Sequence, residues 1–297
     1  MRRTQLADVA GALTHSLHES GVNVHVFLPA GEGTATEELT DLQESCTVEV
    51  QDGRTKRSVR VSTGKYNGLV VHLFDEPDLF SGRHPYGNEE GPYADNWRRY
   101  AVFSRAVLES LPKLKFTPDV LHCTDWTAGL IPLLRKLEYE GREPVHPAAK
   151  AGTYMHVQNL AMQGSFEREV LPLIGLSHDL FIHVGGLEQG GKVNFLKAGI
   201  EFSTIVGLGS PSMAEHVVEL DRGYGLEESF ERRGREVIGI TNGIDYAAWD
   251  PAKDPLLPHT YSTEDTELAG KRRCKAALQS SLTLDNGPRT PVVAVLG

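Results

Sequence analysis

An α/β fold, with a mainly parallel sheet carrying helices on both faces, is what this sequence predicts. Three observations point to it. Strand-like and helix-like segments alternate almost throughout, as βαβ units require. Apolar residues recur at helical spacing in the candidate helices and in short buried or alternating runs in the candidate strands. The chain has 297 residues, 40% hydrophobic and 24% charged, enough to enclose a core as one large or two small domains.

Leu6, Val9, Ala10, Leu13 and Leu17 place a helix over 6–20, with Gly21 as its stop. Residues 22–28 alternate as a strand ending at Pro29. Segments 47–50 and 58–62 read as a hairpin with Asp52-Gly53 in the turn, and 68–74 as a further strand. The stretch 75–95, rich in Pro, Gly and Tyr, is a long loop of a kind that often carries function. Trp97, Tyr100, Phe103, Val107 and Leu111 mark one side of a helix over 96–111. A short buried strand at 119–123 feeds a helix over 126–139. Then come a strand at 153–157, helices near 167–173 and 193–200, and strands at 204–208 and 236–240. A late helix around 264–282 and a strand over 291–296 finish the list. In such folds a helix like 6–20 follows a central strand, whose end forms the ligand-binding switch point. Only five residues precede it here, so either another segment fills that slot or the sheet has an open centre.

The net charge of −10 argues against nucleic acid as a partner, because phosphate binding needs concentrated Lys and Arg. Arg232-Arg233 and Lys271-Arg272-Arg273 are short and read as solvated helix faces. Cys46, Cys123 and Cys274 lie far apart without CxxC spacing, which fits reduced thiols in the cytoplasm and argues against a zinc site. No run approaches the roughly 18 apolar residues of a membrane span, and the basic N-terminus leads into an amphipathic helix rather than a signal-peptide core.

Several segments carry more specific information. Asn242-Gly243-Ile244-Asp245 stands ahead of Trp249-Asp250-Pro251, and Asn194-Phe195-Leu196-Lys197-Ala198-Gly199 lies upstream. Asn-Gly alone is a generic turn signal; its company makes it specific. Asp119 to Gly129 contains His122-Cys123-Thr124-Asp125-Trp126, and Met155-His156-Val157-Gln158-Asn159-Leu160-Ala161-Met162-Gln163-Gly164 follows. In order and spacing, from Leu6 to about Leu296, these resemble the starch and bacterial glycogen synthases, retaining glucosyltransferases that use ADP-glucose. The resemblance implies the N-terminal half of a GT-B fold, with catalysis in a cleft between two Rossmann-like halves.

The resemblance also implies roles. His122, Asp125, Gln158 or His156, and Asn242 would line the donor-sugar side, with Trp126 and Asn159 in the same substrate-binding segments. Asp125 reads as a cleft carboxylate or as the cap of the helix that begins at Trp126. Where the family has a histidine against the donor glucose this chain has Gln158, which can donate and accept hydrogen bonds but not carry charge. His156, two residues earlier on the same strand face, either takes up part of that role or is structural. Arg2-Arg3-Thr4-Gln5 stands where the family has Lys-Thr-Gly-Gly; Arg2 keeps a charge near the donor phosphates, but both glycines are replaced. Asp8 matches a family acid near the cleft and is equally a normal first-turn acid.

The expected organisation is a synthase N-terminal catalytic domain over 1–288 and the start of the C-terminal domain over 289–297, with the first strand and the rest of the second domain missing. The expected partners are ADP-glucose, as donor substrate rather than cofactor, and glycogen or another α-1,4-glucan. A separate C-terminal half would be a further partner; no metal, nucleic acid or membrane is expected. Two other readings stand beside this one: a non-catalytic glucan-binding or regulatory remnant, and a gene fragment.

Overall fold

The computed structural model describes residues 5–295, beginning with helix α1 (Gln5–Glu19). A first sheet follows, built from β1 (His25–Pro29), β2 (Thr40–Asp52), β3 (Thr55–Tyr66) and β4 (Leu69–Asp75) in the order β1-β4-β3-β2. β1 runs parallel to β4, while β2, β3 and β4 are antiparallel neighbours. The hairpin turns at Asp52-Gly53, where Gly53 takes φ +62°, a conformation glycine adopts without a Cβ clash. It is longer than the sequence suggests, because β2 has register shifts before Gln43 and Cys46 that disrupt alternation there. The expected long loop contains a two-residue ladder of β5 (Gly87–Asn88) with β6 (Gly91–Pro92).

Helix α2 (Asn96–Lys113) buries Tyr100, Phe103, Val107 and Leu111. Phe103 lies edge-on to Phe74 of β4 at 5.5 Å between ring centroids; full burial of such side chains stabilises by roughly 2–3 kcal/mol each. Arg99, on the same helix and 1% exposed, donates to the carbonyls of Leu79, His84 and Pro85. The loop over 75–95 is therefore held against the helix rather than left loose.

The second sheet starts with parallel β7 (Val120–Thr124) and β8 (Gly152–Val157). Between them the expected helix over 126–139 comes in three pieces: a 3-10 turn at Trp126–Ala128, α3 (Leu130–Leu134) and a π turn at Arg135–Tyr139. Pro132 has no N–H to give to Ala128, which interrupts a continuous ladder. A small antiparallel sheet of β9 (Ser165–Phe166), β10 (Glu188–Gln189) and β11 (Lys192–Asn194) surrounds α4 (Val170–Leu173) in sequence. Asn194 caps α5 (Phe195–Phe202) by accepting the Lys197 N–H at 2.8 Å, so that helix begins after a short strand. β12 (Ile205–Leu208), α6 (Pro211–His216), α7 (Glu227–Arg233) and β13 (Val237–Gly239) complete an all-parallel sheet of order β13-β12-β8-β7.

The observed architecture is thus α/β with helices flanking a parallel sheet, plus a separate mixed sheet. Among the described residues no strand pairs with the outer edge of β1 or of β7, and the two four-stranded sheets are separate. Leu28 on β1 and Val120 on β7 are accordingly 43% and 60% exposed. The chain divides into two compact units, with the boundary between Asn242 and Gly243. In the second unit α8 (Ala269–Ser281) is the main element, and the Cys274 thiol donates to the His259 carbonyl. The strand expected over 291–296 is not formed within 291–295, which have no partner strand there. No described helix is long and apolar enough to cross a membrane.

Candidate functional site

Four side chains singled out by sequence form a row that runs from the middle of β7 to the C-terminal ends of β8 and β13. His122 lies on β7 opposite Tyr154 of β8, His156 is two residues further along β8, and Gln158 and Asn242 follow β8 and β13. Spacing of two keeps Tyr154 and His156 on one face of the strand. The contacts form a row. Asn242 Nδ2 donates to Gln158 Oε1 at 2.8 Å, and Gln158 Nε2 donates back to Asn242 Oδ1 at 3.2 Å. Gln158 Nε2 also meets His156 Nε2, and His156 Nδ1 lies 3.1 Å from His122 Nε2. An amide nitrogen only donates, so with this amide orientation His156 accepts at Nε2 and carries its proton at Nδ1.

Such a row requires a neutral His156. Burial lowers the pKa of this imidazole, and the residue is 6% exposed. Desolvation and the neighbouring His156 push His122 down to about 4, although His122 is open to solvent along the free edge of β7. Tyr154 sits edge-on to the His122 ring at 4.8 Å. Gly207 of β12 makes room for it: a Cβ there would overlap the Tyr154 hydroxyl oxygen.

Asp125 supports the row instead of joining it. Its amide donates to the His156 carbonyl at 2.9 Å. Its Oδ1 accepts the backbone N–H of Gln158 at 2.8 Å and of Asn159 at 3.2 Å. The carboxylate thereby ties the end of β7 to the turn that presents Gln158. Burial raises the Asp125 pKa, and the two backbone hydrogen bonds oppose the rise. The alternative role as a helix cap is not realised, since its side chain makes no cap bond to the following turn. Asp125 holds φ 52° and ψ −174°, a region that costs a non-glycine residue about 1–3 kcal/mol.

The remaining candidates are placed elsewhere. Trp126 is 5% exposed and packs on Tyr100 at 4.9 Å, with Tyr86 and Phe166 near 6 Å. Asn159 is exposed, and its Oδ1 accepts the Ala161 N–H at 3.0 Å in a local turn. Asp8 stands in the first turn of α1. Arg2 lies outside the described residues. Among the described residues no three His, Cys, Asp or Glu side chains group closely enough to hold a metal ion.

A family model described as the starch synthase catalytic domain matches residues 2–232. The chain belongs to this family. It is 35% identical over 285 residues to a glycogen synthase from Myxococcus xanthus, covering 95% of the chain and 58% of that protein. It is 39% identical over 277 residues to a glycogen synthase from Opitutus terrae, covering 92% and 56%. Among solved structures, the catalytic domain of starch synthase IV from Arabidopsis thaliana, bound to ADP and acarbose, superposes with a TM-score of 0.81 at 29% identity. That match covers 96% of this chain and 57% of the other. The chain therefore spans less than three fifths of the length of these synthases.

Within this synthase domain, three residues of the site were not singled out by sequence. Tyr154 is two positions before His156, a period-two signal legible in the strand itself. Gly207 shows no such signal, because its reason is the Tyr154 ring across the ladder. Tyr86 comes from the 75–95 loop and has its pKa raised by burial and by the Asp125 charge, a neighbourhood that only the tertiary fold creates.

Proposed function

We propose that this chain supplies the acceptor-side half of an ADP-glucose:α-1,4-glucan glucosyltransferase, a glycogen or starch synthase working in the cytoplasm. ADP-glucose is the donor substrate, and no cofactor is needed. The observation that carries the reading is the row that leads from His122 through His156 to Gln158 and Asn242 at the carboxyl ends of parallel strands, where open α/β sheets bind ligands. Neutral imidazoles and paired amides donate and accept hydrogen bonds without fixed charge, which suits sugar hydroxyls. In the transfer, the glucosyl C1–O bond to the diphosphate breaks while the glucan 4-hydroxyl oxygen bonds to C1 on the same face. The hydroxyl proton leaves with the departing diphosphate. Stabilising that diphosphate takes cationic groups; the uncharged row does not provide them, and we assign them to a C-terminal synthase half.

The test is transfer of labelled glucose from ADP-glucose to glycogen, with the chain alone and with a C-terminal synthase half added. Incorporation in the joined sample is the expected result. A folded chain that binds glycogen but gives no incorporation in either sample would overturn the catalytic reading. It would leave a glucan-binding or regulatory subunit, which the uncharged Gln158 locked onto Asn242 favours as the second reading.

A further inference from the structure

A second feature lies one residue away from the row. Gly209, at the end of β12, places a hypothetical Cβ 3.7 Å from Asn242 Nδ2 and 3.8 Å from Gln158 Oε1. Ser210, the next residue, opens a cleft of about 590 Å³ that is also lined by Ser212, His216, Glu219, Arg222 and Tyr224. The volume is within the range of small-ligand sites. At its rim Tyr224 is 60% exposed and holds φ +54°, a backbone conformation uncommon for a bulky residue. The surrounding structure enforces it. Gln163 Nε2 donates to the Tyr224 carbonyl at 3.0 Å, and Gln163 Oε1 accepts from Nδ2 of the fully buried Asn194 at 2.6 Å. Glu227 Oε1 accepts the N–H groups of Gly223 and Gly225 on either side, at 2.9 and 3.3 Å, and Gln189 holds the Gly225 carbonyl.

We infer that this cleft is a glucan subsite contiguous with the row, and that Tyr224 is its stacking platform. A pyranose presents one face rich in C–H groups and a rim of hydroxyls. An exposed aromatic ring on a held backbone takes the face, while serine hydroxyls, imidazole, carboxylate and guanidinium groups take the rim. Strain at an exposed aromatic, held by bonds that reach into the core, is the pattern of a residue kept for binding. The Gln163 bond ties the platform to the segment that leads from Gln158 to β9, so successive glucose units would run from the amide pair toward Tyr224. The inference rests on the glucan-transfer reading and extends it to a second sugar position.

Electrophoresis of the full chain through gels containing glycogen tests this directly, with maltoheptaose as the soluble competitor. The unsubstituted chain should be retarded and Tyr224→Phe should behave like it, whereas Tyr224→Ala should bind at least about tenfold more weakly. Ser212→Trp, which fills the cleft from an exposed position, should weaken binding similarly while keeping the parent's thermal midpoint. Equal retardation of all four proteins would overturn the subsite and leave the transferase reading intact. No retardation of the unsubstituted chain would also overturn the subsite, and the transferase reading would then stand or fall with incorporation in the joined sample.

Discussion

Asp125 shows how one residue uses strain to position others. Its carboxylate holds two backbone amides of the turn after β8 while its own backbone sits where glycine is at ease. Asp125→Ala should therefore lower the unfolding free energy by about 2 kcal/mol in urea titration, from the two orphaned amides. Asp125→Gly should lose about 1 kcal/mol less, because it relieves φ +52°; equal losses would remove strain from the account. The buried histidine on β4 makes a second prediction. His72 is 2% exposed, accepts or donates with Thr63 Oγ1 at 2.8 Å and His25 Nδ1 at 2.9 Å, and is pushed down by burial and the His25 charge to about 4. Unfolded chains take up a proton near the ordinary value of 6.5 that the folded chain refuses until about 4. Stability is thus intact above 6.5 and falls as pH drops through that window, by up to roughly 3 kcal/mol for this group. Urea midpoints that stay level between pH 7 and 5 would contradict it.

Elements place the row, and their register explains what sequence reading reaches. His122, His156, Gln158 and Asn242 were legible because short strands of period two end at known positions, and because neighbouring motifs keep their order. Asp125 was legible as a candidate but not in its role, since a clamp on backbone amides depends on how β7 and β8 abut. The β2–β3 hairpin was legible from its Asp52-Gly53 turn, while its pairing with β4 in a mixed first sheet was not, because βαβ alternation says nothing about which strand a hairpin joins. Gly207 exposes the limit most clearly. Replacing it by alanine puts a Cβ against the Tyr154 hydroxyl and must move that ring. Overpacking of this kind costs about 1–3 kcal/mol. We expect the His122 and His156 imidazole resonances to shift in NMR spectra of Gly207→Ala, and unchanged resonances would show that Tyr154 does not order the pair.

Over the whole molecule, stability is unevenly spread. The buried apolar residues run from Val48 to Phe230, whereas the described part of the second unit buries only Gly270 and Gln279. Amides over 243–295 should therefore exchange with solvent earlier than those of β8, β12 and α5, and protease should cut there first, leaving a resistant core. Digestion throughout the chain would instead fit an unfolded gene fragment. In the function we propose, the uncharged row serves glucosyl transfer. It is tested most directly by joining the chain to a C-terminal synthase half and measuring labelled glucose passing from ADP-glucose into glycogen, for the parent and for Asn242→Ala. Incorporation by the parent is expected, with a loss of at least about tenfold in the variant, as removal of a transition-state hydrogen bond would give. Incorporation indifferent to Asn242, or none from a folded and glucan-binding assembly, would contradict it.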